Sequence, residues 1–277
     1  MKNRIRSIAM ALLAFVFVIS TLLMLRQYSD NTGGESAYAD ALAIALKEQP
    51  LPETAEAAPE SPAATAGEAA ASVWVRVPVE DDPAMEDLQK INLSALQAEN
   101  PDVVGWIRIP DTAIDYPLMQ GEDNDFYLNH TWQKDPNSVG SIFLEYQNSA
   151  DLTDYNTIVY GHNMNNGSMF ADLELYALQS FWQEHPYVYI VSADGVYRYE
   201  IFAFCQAKVD SLIYGMNPQR DDTKAYFLTL ATEDAPYDTQ IRPALTDRIL
   251  TLSTCSGANY DFRYVVQARL PMMEIFR

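Results

Sequence analysis

The sequence predicts a mainly β fold, a closed or nearly closed β-barrel carrying peripheral helices. Three observations lead there. Seven or eight short segments alternate apolar and polar residues or are rich in Val, Ile, Tyr and Phe, and Gly, Pro, Asn and Asp bound them. The helical patterns between them are few and short. All of these segments lie in one stretch of about 195 residues, from near Asp82 to Arg277, with no internal repeat, which suits one domain with a sizeable core.

The chain before that stretch has a different character. Ile8 to Leu25, "IAMALLAFVFVISTLLML", is apolar apart from Ser20 and Thr21. At about 1.5 Å rise per residue it spans about 27 Å as a helix, close to the hydrocarbon thickness of a bilayer. Lys2, Arg4 and Arg6 precede it, which predicts a cytoplasmic N-terminus. Arg26-Gln27-Tyr28 follows in place of a small-residue cleavage site, which favours an uncleaved signal anchor over a signal peptide. Leu51 to Ser72, "LPETAEAAPESPAATAGEAAAS", has no aromatic residue and too little apolar surface to offset its ordering entropy. It reads as an extended, charge-stiffened tether. "SAYADALAIALKEQ" before it has weak helical character. The predicted organisation is a cytoplasmic tail (1–7), a membrane anchor (8–27), an extracytoplasmic linker (28–80) and one globular domain (81–277).

Within the domain each element has a local reason. "PAMEDLQKINLSALQAEN" places Met85, Leu88, Ile91, Leu93 and Leu96 near a 3.6-residue period, and Asn100-Pro101 ends that helix. "VVGWIRIP" and "AIDYPLMQG" read as a hairpin around Pro110-Asp111. "DNDFYLNHTW" is a short helical turn. "GSIFLEYQ" and "NTIVYGHN" are strands. "SMFADLELY" and "LQSFWQEHP" are short helices. "YVYIVSADGVYRYEIFAFCQAKV" is a hairpin turning at Asp194-Gly195. "DDTKAYFLTLAT" is helical, and strands bracket Cys255.

The formal net charge is −20, from 38 acidic and 18 basic residues, which argues against nucleic acid or an anionic membrane surface as partner of the outer domain. Two cysteines are too few for a disulfide framework, leaving one disulfide or a thiol with a task. Cys255 ends the strand "ILTLSTC", beside a polar loop with Gly257 and Asn259. On position alone it reads as a small core hydrophobe. A nucleophilic cysteine works as a thiolate and needs a base or cation nearby. Of the three histidines, His130 sits at a helix end and His185 precedes Pro186 in a polar segment, and both read as structural. His162 ends the strand "NTIVYGH" and opens the Asn/Gly-rich loop "NMNNGSM", so it shares with Cys255 a place at a strand terminus. That makes His162 the best base candidate. Arg263 begins the strand after the cysteine loop, and an antiparallel pair would return it beside Cys255, as a surface arginine or as a fixed cation for a thiolate or oxyanion.

"TLSTC", followed eight residues later by Arg263 in "FRYVV" with "VYGHN" upstream, resembles the signature of sortases, the membrane-anchored cysteine transpeptidases of Gram-positive bacteria. The similarity runs from about the first helix of the domain to the C-terminus. It implies the eight-stranded sortase barrel and a catalytic trio of His162, Cys255 and Arg263. The long insertion from Val209 to Asp247 and the helical segment before the barrel resemble class B. So do "GSIFLEYQN" and "FWQEHPYVYI".

The resemblance further implies thiolate attack on the threonine carbonyl of an Asn-Pro-x-Thr-type sorting signal near a secreted protein's C-terminus. A thioester acyl-enzyme then passes to an amine of peptidoglycan or its lipid-linked precursor. His162 would move the amine protons and Arg263 would hold the oxyanion. No cofactor is needed, and no calcium-loop spacing appears among the acidic residues. Ser253, Thr254, Tyr160 and Asn163 are the weaker substrate-binding candidates. Three other readings stay open: a cysteine peptidase using water, a pilin-joining enzyme using a lysine, and a binding module with Cys255 tied to Cys205. Cys205, in "EIFAFCQAKV", reads as an inward core residue. "LPETA" (Leu51 to Ala55) resembles a sorting pentapeptide, but it sits in low-complexity sequence with no apolar tail behind it.

Overall fold

The computed structural model describes residues 2–47, 72–76, 82–255 and 261–276. The tether 48–71, with "LPETA", and the loop holding Gly257 and Asn259 lie outside the described residues. Helix α1 (Lys2–Ala45) comes first, followed by strand β1 (Ser72–Arg76) and helices α2 (Pro83–Leu88) and α3 (Leu93–Glu99). The barrel strands are β2 (Val103–Arg108), β3 (Asp115–Met119), β4 (Ile142–Leu144), β5 (Asn156–Gly161), β6 (Tyr187–Ser192), β7 (Gly195–Lys208), β8 (Arg248–Cys255) and β9 (Phe262–Leu270). They close in the order β2-β3-β4-β5-β8-β9-β7-β6. Helix α4 (Gln179–Glu184) and helix α5 (Asp221–Leu230) sit in the connections, and β10 (Met272–Phe276) pairs with β1 outside the barrel.

The predicted hairpins are present. β2 and β3 are antiparallel, as are β6 and β7, with Ser192 opposite Gly195 at the turn. Two junctions are parallel, β3 with β4 and β5 with β8. Large side chains such as Trp106, Phe143, Ile107 and Tyr199 on the barrel strands are fully or almost fully buried. One buried polar cluster lies on the strand face that the insertion before β8 covers. Asn156 on β5 is buried and its Oδ1 accepts from Thr251 Oγ1 on β8 at 2.7 Å. Thr251 Oγ1 accepts in turn from Gln267 Nε2 on β9 at 3.0 Å. Asn156 Nδ2 donates to the carbonyls of Gly215 (3.1 Å) and Ile213 (3.3 Å). Three strands and the insertion are thus joined by buried hydrogen bonds that discriminate against a slipped register, with Gln267 Oε1 left without a partner among the described residues.

Two expectations need correction. The single helix over 83–100 is two, because the Asn92 side chain caps α3 by accepting from Ala95 N at 3.0 Å and so ends the first turn run. The linker expected over 28–80 is not a linker throughout. α1 runs unbroken to Ala45, and Ala37, Tyr38, Ala41 and Ala45 are buried against the barrel. Ser72–Arg76, also within that span, is a strand paired with Met272–Phe276. Weak intrinsic propensity in 28–45 is overridden by tertiary contacts. Trp132 Nε1 donates to Ala37 O at 2.8 Å, Asn137 Nδ2 to Asp30 O at 3.0 Å, and Tyr38 OH to Gly140 O. The α1 helix is long and apolar enough to cross a membrane by length and composition, and its Met10–Leu25 part is exposed.

Asn156→Ala removes one acceptor and leaves Thr251, Gly215 and Ile213 short of partners. We expect a loss of about 2–4 kcal/mol of unfolding free energy, read from the urea midpoint at unchanged slope. Unchanged stability would remove this cluster from the determinants of register.

Candidate active site

The parallel pairing of β5 with β8 builds the site. Tyr160 lies opposite Ser253 and Gly161 opposite Thr254. The next residues of these two strands are His162 and Cys255, so two chain positions far apart in sequence emerge side by side at one end of the barrel. The antiparallel β8–β9 pairing adds the third group, with Cys255 opposite Arg263 in register. Barrel closure alone thus brings His162, Cys255 and Arg263 to one rim.

His162 is half-buried, and its Nε2 lies 2.7 Å from Leu128 O. A carbonyl only accepts, so Nε2 carries the proton in that contact and Nδ1 is the nitrogen that titrates. Gly140 backs the ring. A Cβ at Gly140, where φ is +63°, would lie 2.6 Å from Leu128 O and 3.0 Å from His162 Cδ2. Only glycine fits both the backbone conformation and that approach. The backbone of His162 is held from the other side, its carbonyl accepting from Phe170 N at 2.9 Å.

A cleft of about 300 Å³ opens beside these residues. Tyr160, His162, Ser253, Thr254 and Arg263 line it, joined by Leu128, Phe143 and Tyr214. Tyr160 OH donates to Glu145 Oε2 at 3.0 Å. Burial, then the Glu145 charge, push the phenol well above its usual range, with the Arg263 charge acting in the opposite direction. Tyr160 is therefore a neutral donor at neutral pH. Tyr214 OH and Ser253 Oγ are 3.0 Å apart. The Thr254 hydroxyl is buried and has no partner among the described residues. Arg263 is half-buried, with Nη1 donating to Phe262 O at 3.0 Å.

Asn163 is not brought to the cleft wall. Its amide donates to Glu174 Oε2 at 3.3 Å, so it shapes the loop after His162. The other two histidines have structural partners. His130 stacks on Phe126 at 4.0 Å and meets Phe126 O through Nδ1. His185 packs on Phe181 and meets Pro110 O through Nδ1 at 3.0 Å. Cys205 is a buried free thiol, so the tie to Cys255 is not present.

Sequence reasoning missed Tyr214, Phe143, Leu128 and the polar rim residues Asn124 and Asp125. Tyr214 had one usable signal, a tyrosine in "SLIYGMN" inside the long insertion before the cysteine strand. The others carry none, because only barrel closure brings them to the rim.

The Sortase family model matches residues 107–271. The chain belongs to the sortase family. It is 38% identical over 205 residues to Sortase B of Listeria monocytogenes, covering 73% of this chain and 78% of that one. The crystal structure of Clostridium perfringens sortase B superposes with a TM-score of 0.61 at 33% identity, over 66% of this chain and all of that one. The Staphylococcus aureus sortase B–substrate complex gives 0.61 at 29% identity, over 66% and 85%. This sortase is therefore a cysteine transpeptidase most like class B.

The second cysteine of this sortase should be chemically silent. Burial pushes the Cys205 thiol up to about 12 from an ordinary 9.0. At about pH 8 only about one thiol in ten thousand would be ionised. Iodoacetamide should leave Cys205 unmodified in the folded chain and alkylate it after denaturation, read by peptide mass spectrometry. The raised value also means that folding holds the protonated form, so the contribution of Cys205 to stability is complete below about pH 9 and is lost as pH rises toward about 12. Rapid native alkylation of Cys205 would show that its strand opens.

Proposed function

We propose that Cys255 is the nucleophile, His162 the acid and base, and Arg263 the oxyanion donor of a sorting transpeptidase. The observation that carries this reading is the register that sets Gly161 opposite Thr254 and Cys255 opposite Arg263. The substrate is a secreted protein with an Asn-Pro-x-Thr-type C-terminal signal. The Cys255 thiolate attacks the threonine carbonyl carbon, and the carbonyl oxygen becomes an oxyanion held by the Arg263 guanidinium. The C–N bond then breaks and His162 gives its Nδ1 proton to the leaving amine. A thioester remains on Cys255. An incoming amine loses its proton to His162, attacks the thioester and frees the thiolate. Splitting one amide exchange into two acyl transfers predicts ping-pong kinetics. Tyr160, Ser253 and Thr254 bind the signal's backbone, with the unpartnered Thr254 hydroxyl as the group most in need of a ligand donor or acceptor. The acceptor is an amine of peptidoglycan or its lipid-linked precursor.

The membrane-spanning reading of Met10–Leu25, with the N-terminus inside and the barrel outside, belongs to the same proposal. It is supported by the exposed apolar length of α1 behind Lys2, Arg4 and Arg6. Protease added to intact protoplasts should then remove the barrel, and full protection of the barrel would reverse the topology.

Cys255→Ala should abolish a thioester adduct detected by intact mass spectrometry after mixing with the signal peptide, while the circular dichroism spectrum stays that of the parent. Arg263→Lys keeps the charge but loses the planar fork of donors, and turnover should fall about 10²–10³-fold with folding intact. His162→Ala should slow acylation, because the leaving amine lacks its acid. An adduct that forms on the Cys255→Ala variant would overturn the assignment. An adduct on Cys255 that yields only hydrolysed peptide with every amine supplied would favour a peptidase.

A further inference from the structure

Helix α1 carries two surfaces on one unbroken run of backbone. From Met10 to Leu25 its side chains are exposed and apolar, Phe17 and Met24 each at 72%. From Asp30 onward one stripe is engaged by the barrel. Gly34, Ala37, Tyr38, Ala41 and Ala45 are buried, a spacing that keeps them on one helical face. Only Arg26 to Ser29, about one turn, separates the two surfaces, and that turn contains neither Gly nor Pro.

The docking is close and specific. A Cβ at Gly34 would lie 2.9 Å from Val139 Cγ2 and 3.1 Å from Val139 Cβ, so the helix backbone approaches the 137–141 loop as nearly as it can. Ser138 Oγ donates to Asp30 Oδ2 at 2.7 Å, and Asn166 Nδ2 to Glu35 Oε1 at 3.3 Å. Glycine in a helix interior costs about 1 kcal/mol relative to alanine, and here the close packing offsets it. The loop so gripped is the one whose Gly140 backs the His162 ring, and Asn166 belongs to the loop that follows His162.

We propose that α1 is a rigid post that presents the His162 end of the barrel to the outer membrane surface at a fixed height. This rests on the membrane-spanning reading of Met10–Leu25. From Leu25 to Asp30 is about 7–8 Å of helix, and to Glu35 about 15 Å. The headgroup layer takes about 5–8 Å of that on one side of the bilayer. The Asn137–Ser138 tip therefore meets the headgroup edge, and Asn166 stands roughly 7–10 Å beyond it. A tilt of about 20° changes these heights by only a few per cent. His162 is four residues from Asn166, within about 14 Å of extended chain. The −20 net charge gives the barrel no electrostatic reason to lie on an anionic surface, so a stiff helix rather than adhesion must hold this height. Any acceptor must then come within reach of a site close to the lipid headgroups.

The full chain in phosphatidylcholine–phosphatidylglycerol vesicles tests this. A fluorophore is placed on Asn166→Cys in a Cys205→Ala, Cys255→Ala background, and energy transfer to a headgroup acceptor reads its height. We expect one narrow distribution about 15 Å above the hydrocarbon boundary. Four alanines inserted after Tyr28 should raise it by about 6 Å and keep it narrow. Gly34→Val with Tyr38→Phe should broaden it while the barrel's near-ultraviolet spectrum persists. A broad or distant distribution in the parent, a height indifferent to the insertion, or failure to enter the vesicles would each overturn the proposal. Thioester formation by the Cys255-bearing chain in detergent needs no membrane, so a failed post and a failed transpeptidase reading give different results.

Discussion

The parallel pairing of β5 with β8 is the constraint on which the rest of this molecule depends. A strand end offers a side chain to solvent while its backbone stays in a ladder, so it holds a reactive group firmly without burying it. Two such ends are useful together only if both strands point the same way. Antiparallel neighbours would have put His162 and Cys255 at opposite ends of the barrel. The parallel register instead makes them adjacent, and the antiparallel β8–β9 return places Arg263 beside them. Parallel strands need a long crossover. Here the crossover contains β6, β7 and the insertion, so two strands of the barrel wall come from the connection that the site requires.

A shift of one residue between β5 and β8 would move His162 against Ser256 or Thr254 and turn every side chain on the strand to the other face. The Asn156–Thr251–Gln267 cluster opposes that shift. It crosses β5, β8 and β9, and each hydrogen bond in it would be lost in a slipped pairing. Such a cluster is costly to leave half satisfied, which gives it more discriminating power than an equal area of apolar packing. The histidine is then fixed a second time, by Leu128 O on one edge and by the Gly140 turn on another.

The local pieces of this design were legible in the sequence, and the long-range ones were not. "ILTLSTC" alternates with period two and "FRYVVQARL" resumes β character after a short polar loop, so their pairing and the return of Arg263 beside Cys255 follow from pattern. His130 and His185 read as structural and have structural partners. The β5–β8 pairing joins residues about ninety positions apart, and no period or spacing carries that information. A shared place at strand ends made His162 the base candidate for Cys255, but only the signature of the family, not any spacing, joined the two. Helix α1 failed to read beyond Tyr28 for a different reason. "NTGGESAYADALA" has glycines that signal a break, yet the helix continues, and at Gly34 a Cβ would lie 2.9 Å from Val139, an approach that crowds a larger residue. Asn163 looked like a pocket residue by its place beside His162, but alternation and Glu174 take its side chain elsewhere.

The insertion between β7 and β8 shows how the core and the cleft are made one system. Its Ile213 and Gly215 carbonyls accept from the buried Asn156 amide, and between them Tyr214 reaches Ser253 in the cleft wall. Tyr214 also lies 6.5 Å, ring to ring, from Tyr160, whose hydroxyl is held by Glu145. The residue that joins β5 to β8 therefore also holds the segment that walls the cleft. A substrate that pressed on Tyr214 would press on Asn156 through two short hydrogen-bonded links, and Asn156 cannot yield without breaking the β5–β8 lock. The cleft wall is rigid on this side for the same reason that His162 and Cys255 stand together.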